Sequence, residues 1–203
     1  MRSALTLFNA LIEQAKLSEG LFQYFKAQGI PLNLSDLLRW QWILAVSALD
    51  KYIHDVVRVG MIEAFEERRL QTQKFQEFKI NISAYKRISE SPTPTIEFER
   101  EIVRQHSYLA FQLPEKIADA LSYIWDENNK WDVISQNMTP PISAGDARTK
   151  QKNIITRRNQ IVHEGDCLTT VLPLDQQQIL LEDVQDVLRF VTDLANSIHN
   201  CIT

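Results

Sequence analysis

The residues best suited to chemistry in this chain fall within 147–163, where every charged side chain is basic: Arg148, Lys150, Lys152, Arg157 and Arg158. The chain as a whole carries a formal charge of −4, so this stretch reverses the prevailing sign. By charge alone such a stripe is an ordinary solvated helix face, and its functional reading is phosphate binding. His163 closes the stretch. On a helix, Asn159 stands one turn before His163 on the same face, and Arg158 lies about 140° round the axis from it. An imidazole exchanges a proton near neutral pH, a guanidinium holds a phosphate with two donors, and an amide orients them. Together these groups suffice to transesterify RNA without a metal. The carbonyls at a helix C-terminus also favour a protonated imidazole placed there.

Other chemistries find less support. Di-iron bundles use Glu-x-x-His pairs, but the residues three before His54, His106, His163 and His199 are Lys51, Val103, Gln160 and Asn196. No HExxH occurs either. Asp50 and His54 share a helix face, and that spacing reads as a paired acid and imidazole rather than a metal site. No metal and no cofactor is therefore expected. The closest glycines are Gly20 and Gly29, so neither a P-loop nor a dinucleotide fingerprint can be written. Cys167 and Cys201 form no CxxC and no zinc spacing, which reads as two free thiols in a reducing compartment. The N-terminus is too weak for a signal peptide, and the longest apolar stretch, 42–49, falls far below the ~20 residues of a membrane span. A cytoplasmic protein with no membrane association is expected.

The elements that must position these residues read as helices nearly throughout. The composition, 44% hydrophobic and 24% charged, excludes wholesale disorder. Only five glycines occur, too few for the many turns of a sandwich or barrel. The spacing predicts one or two helices over 3–26, then a helix from an N-cap at Ser35 to 69. That helix would be roughly 50 Å long, so a bend or break is expected near Gly60. Residues 70–90 are ambiguous, with Phe75, Phe78, Ile80, Ile82 and Tyr85 as anchors. Further helices are expected over 96–112, 115–126, 131–134, 143–164 and 175–201, with Gly165 ending the one over 143–164 and Pro173 marking a turn. The fold class is all-α: an up-and-down bundle of four to five main helices plus short extra ones. One domain over 1–203 is expected, with 1–33 as an N-terminal helical extension packed on it.

The segment RRNQIVHEGD at 157–166 resembles the HEPN superfamily (higher eukaryotes and prokaryotes nucleotide-binding), whose signature is Arg, a polar residue, a short spacer, then His. Arg158-Asn159-Gln160-Ile161-Val162-His163 matches its four-spacer form. Trp125 and Trp131 upstream, Glu164-Gly165-Asp166 after the motif, and the helix ILAVSALDKYIHDVV are similar to the RiboL-PSP type. The likeness runs over about 34–200. It implies a helical domain that dimerises and brings two motif copies together across a two-fold axis. It also implies a metal-independent endoribonuclease, acting as a toxin or phage-defence effector beside an antitoxin or other operon partner. On the matched positions, Arg158 and His163 are the catalytic pair and Asn159 their polar partner. Arg148, Lys150, Lys152 and Arg157 are expected to bind the RNA. Nothing in the resemblance carries over to Arg157, Asp50 or His54. The alternatives are a non-catalytic RNA- or nucleotide-binding or protein-interaction module of a defence operon, and a plain helical adaptor.

Overall fold

The computed structural model of the protein describes residues 1–168 and 175–203, and over these it is built from helices alone. Five longer helices are α1 (Arg2–Ala27), α2 (Ser35–Phe65), α5 (Pro94–His106), α8 (Ala144–Glu164) and α9 (Leu181–Ile202). Four short ones are α3 (Gln73–Gln76), α4 (Ile82–Glu90), α6 (Pro114–Leu121) and α7 (Lys130–Gln136). The only pairing of extended backbone among the described residues is one isolated bridge between Cys167 and Gln176. The fold is the expected all-α bundle. Pro173 lies outside the described residues.

The bundle is organised around α2. Leu38, Ala45, Val46, Leu49, Tyr52, Ile53, Val56, Val57 and Met61 are buried along it, so the helix is apolar on most of its circumference. Such a helix needs neighbours on several sides, and α1, α5, α6, α8 and α9 all pack on it. The α1 helix is a single element whose Phe8, Ile12 and Ala15 enter the same core.

The break expected near Gly60 is absent. Gly60 serves a close approach instead: a Cβ there would stand 2.5 Å from Ile124 Cγ2 and 2.9 Å from Met1 Cε. The helix stops at Phe65 rather than at 69. Beyond it Glu67 turns into the left-handed region at φ 58°, and Arg69 donates to the carbonyls of Ile124 and Ile202. At its start, Leu34 and not Ser35 holds the cap position, while Asn33 Oδ1 accepts the Ser35 N–H at 3.0 Å.

Residues 70–90 resolve into two short capped helices. Thr72 accepts the Phe75 N–H and Asn81 the Ala84 N–H. Phe75 and Phe78 meet Phe98 edge-on, whereas the expected anchors Ile82 and Tyr85 lie on the surface. The helices expected over 96–112 and 115–126 both end earlier, at His106 and Leu121. The last helix begins at Leu181, not at 175. The carbonyls of Gln177 and Gln178 accept from arginines of α2 and α8, and Gln176 pairs with Cys167 in the isolated bridge.

The core also holds an imidazole. His106 lies among Phe78, Phe111 and Tyr123, with centroid distances of 6.1, 5.6 and 5.5 Å. Burial, with smaller contributions from His54 and Lys74, pushes its imidazole down to about 4 from 6.5. The folded protein therefore keeps His106 neutral while the unfolded chain protonates it. Stability from this group is complete above pH 6.5 and is lost as the pH falls through 4, by about 3 kcal/mol in all. Thermal melts across that window should show the loss in the parent and a flatter profile in His106→Phe. Parallel profiles would refute the assignment.

Candidate active site

The helix that carries the motif is fixed at both ends by residues suited to the task. Ser143 Oγ accepts the Asp146 N–H at 3.0 Å, the bond of a helix N-cap. Gly165 closes the helix at φ 62°, a conformation that costs other residues a steric penalty. Between them Ala147, Gln151, Ile154, Ile155 and Ile161 form the buried stripe of α8. The Trp42 indole N–H donates to the Ile154 carbonyl at 3.1 Å, tying α8 to α2.

At about 100° per residue, the remaining side chains of α8 divide between two flanks. Arg148, Lys152, Asn159 and His163 fall within roughly 60° of one another on one flank, and all four are exposed. Lys150 and Arg157 fall on the other. The basic stripe expected to bind substrate is thus split. Arg148 and Lys152 border a cavity of about 570 Å³ beside Lys130 and Trp131 of α7. Lys150 borders a groove of about 990 Å³ between α8 and α9, floored by Trp42 and Phe190, and its Nζ lies 5.2 Å from the Phe190 ring centroid.

Arg158 points inward from the motif face and is half-buried. No hydrogen bond among the described residues joins it to His163. Its Nη2 donates to Gln112 Oε1, on the connector between α5 and α6. Gln112 Nε2 donates in turn to Asp50 Oδ2 at 3.1 Å, and Asp50 Oδ1 accepts the Phe111 N–H at 2.7 Å. Asp50 therefore faces the motif helix through Gln112, a relation no spacing rule could supply. His54 Nε2 stands 3.8 Å from Asp50 Oδ1 and 3.3 Å from the Leu109 carbonyl oxygen. The first distance is an ion-pair separation and too long for a hydrogen bond. Among the described residues no group of three or more His, Cys, Asp or Glu side chains is arranged to hold a metal ion.

Arg157, expected to bind substrate, is occupied within the fold. Its guanidinium meets Asp166 at 2.7 and 2.8 Å and the carbonyls of Gln177 and Gln178 at 3.2 Å. Its side chain is 11% exposed. Asp166 is shared with Arg39 of α2, whose Nε lies 2.7 Å from Oδ2 and whose Nη2 donates to Gln177 O at 2.9 Å. Asp166 itself is left-handed, at φ 60°, which turns its carboxylate back under the helix end. The sequence signal for this clasp was the acid directly after the C-terminal glycine. Arg39, 127 residues away in sequence, gave no signal.

An all-helical bundle with Arg-x-x-x-x-His on its penultimate helix defines a class of protein. The chain belongs to the HEPN superfamily, matching the family model described as RiboL-PSP-HEPN over residues 7–203. Comparison with curated proteins and with solved structures gave no match. No helix among the described residues is long and apolar enough to cross a membrane.

The two neighbouring arginines should separate by experiment. Asp166→Ala leaves two buried guanidiniums without their carboxylate and should cost about 3–5 kcal/mol in chemical denaturation. Arg158→Ala removes a half-buried side chain and one charge-assisted hydrogen bond to a neutral acceptor, and should cost about 1.5–2 kcal/mol. Equal losses for the two variants would contradict the division of roles.

Proposed function

We propose that the protein is a metal-independent endoribonuclease whose site is built on Arg158, Asn159 and His163. The observation that carries this reading is the contrast within the motif. Asn159 and His163 are exposed on one flank of α8, and Arg158 keeps a neutral partner while the adjacent Arg157 is consumed by a carboxylate. An arginine that meets no anion among the described residues keeps its charge available for a phosphate.

In this mechanism the ribose 2′-OH attacks the adjacent phosphorus in line with the 5′-oxygen. The new 2′-O–P bond forms as the P–O5′ bond breaks, leaving a 2′,3′-cyclic phosphate and a 5′-OH. His163, from one or both protomers, takes the 2′-OH proton and returns one to the leaving 5′-oxygen. Arg158 offsets charge building on the phosphoryl oxygens, and Asn159 orients them. Because Arg158 and His163 diverge by about 140° on one helix, a homodimer that pairs the two α8 helices would complete the set across the two-fold axis. Arg148 and Lys152 extend the His163 flank towards the N-terminus of α8 and would steer the strand. Lys150 lies on the opposite flank and would contribute only to the general field. The cellular role that fits is a toxin or phage-defence effector, held in check in the cytoplasm by an antitoxin or operon partner.

The test is cleavage of mixed RNA by the purified protein, with and without a chelator, beside His163→Ala. The parent should cut in both conditions. His163→Ala should lose at least ~10²-fold in rate while binding RNA as the parent does, because proton transfer acts mainly in the transition state. A folded His163→Ala protein that cuts as fast as the parent would refute the proposal. RNA binding with no cleavage by the parent would leave the non-catalytic module in its place.

A further inference from the structure

Gln112 connects two groups that the motif does not mention, and its hydrogen bonds leave it a single orientation. A carboxylate only accepts, so the Gln112 NH₂ must face Asp50 Oδ2, at 3.1 Å. The amide oxygen is thereby turned towards Arg158 Nη2. Asp50 is itself fixed by the Phe111 N–H at 2.7 Å. The Gln112 carbonyl is held independently by Gln151 Nε2 at 2.7 Å, from the buried stripe of α8. The connector is therefore anchored through its backbone on both sides of the Gln112 side chain.

From this arrangement we infer that Gln112, braced by Asp50, is a positioning residue for Arg158, orienting its guanidinium through a neutral acceptor so that its charge remains available to the RNA phosphate. The inference rests on the ribonuclease reading of the site. Neutrality is the essential property. Arg157 shows what a carboxylate does at the next position: two short contacts to Asp166 and a side chain largely withdrawn from solvent. One hydrogen bond from Arg158 to a neutral acceptor restrains the guanidinium and uses one of its five N–H donors, leaving others for a bidentate phosphate contact. The negative charge that sets the geometry sits on Asp50, one amide further away, with His54 beside it.

A double-mutant cycle on RNA binding tests this, using the non-cleaving His163→Ala protein as the background. Gln112→Glu, nearly isosteric, should let Arg158 form an ion pair within the protein. Binding should weaken about tenfold, and the slope of log affinity against log salt should fall by about one phosphate contact. Arg158→Ala should do the same, and adding Gln112→Glu to Arg158→Ala should change binding less than twofold, because the two act through one contact. Gln112→Met, which keeps the volume but removes both the acceptor for Arg158 and the donor to Asp50, should lower the cleavage rate in the otherwise unsubstituted protein while the protein stays folded at the assay temperature. Equal weakening by Gln112→Glu with and without Arg158 would overturn the inference, since a structural defect does not depend on Arg158. So would a Gln112→Glu protein that binds like its parent beside an Arg158→Ala protein that does not. If Arg158→Ala binds and cuts RNA as the parent does, the reading of the site fails first and takes the inference with it.

Discussion

Asp166 is a carboxylate with 1% side-chain exposure, held between the guanidiniums of Arg39 and Arg157, and the geometry of the motif helix depends on it. Removing such a charge from water costs several kcal/mol, and two arginines with good geometry are what offset that cost. The return is orientation. The clasp joins the start of α2, the end of α8 and the carbonyls of Gln177 and Gln178 in one set of bonds. The last two turns of α8, where Asn159 and His163 sit, are thus held against the central helix of the bundle. Gly165 makes this possible, because its left-handed backbone lets the chain reverse and bring Asp166 underneath.

Successive arginines in this helix meet different fates because their acceptors differ in charge. Arg157 faces an anion and becomes part of the fold. Arg158 faces an amide and keeps its charge. A helix turns about 100° per residue, so adjacent side chains face different surroundings, and the surroundings rather than the residue type decide which one can serve a substrate. The same geometry separates Lys150 from Arg148 and Lys152, which a linear reading of the basic stretch had grouped together.

Much of α8 was legible in the sequence. Ser143 and Gly165 act through local backbone geometry, so their positions mark the helix ends directly, and the motif lies between them. The all-α class followed from periodicity for the same reason. What could not be read was long-range. A bend or break near Gly60 followed from the expected length of the helix, yet the helix runs unbroken through it, and Gly60 serves a contact with Ile124, 64 positions on, which sequence spacing does not encode. The helical pattern of 179–198 suggests a helix from 175, but the carbonyls of Gln177 and Gln178 accept from arginines of two other elements. Gln112 carried no signal at all, because an amide on a connector acquires meaning only from what the fold sets on either side of it.

The central claim is that this helix surface directs attack by a ribose 2′-OH. The most direct measurement places a single 2′-deoxy nucleotide at a mapped cleavage site in an otherwise unmodified RNA and analyses the product ends. The account predicts that cutting stops at the bond following that nucleotide alone, while every other cut still leaves a 2′,3′-cyclic phosphate and a 5′-OH. Continued cutting at the substituted bond, or products ending in 5′-phosphate, would contradict it.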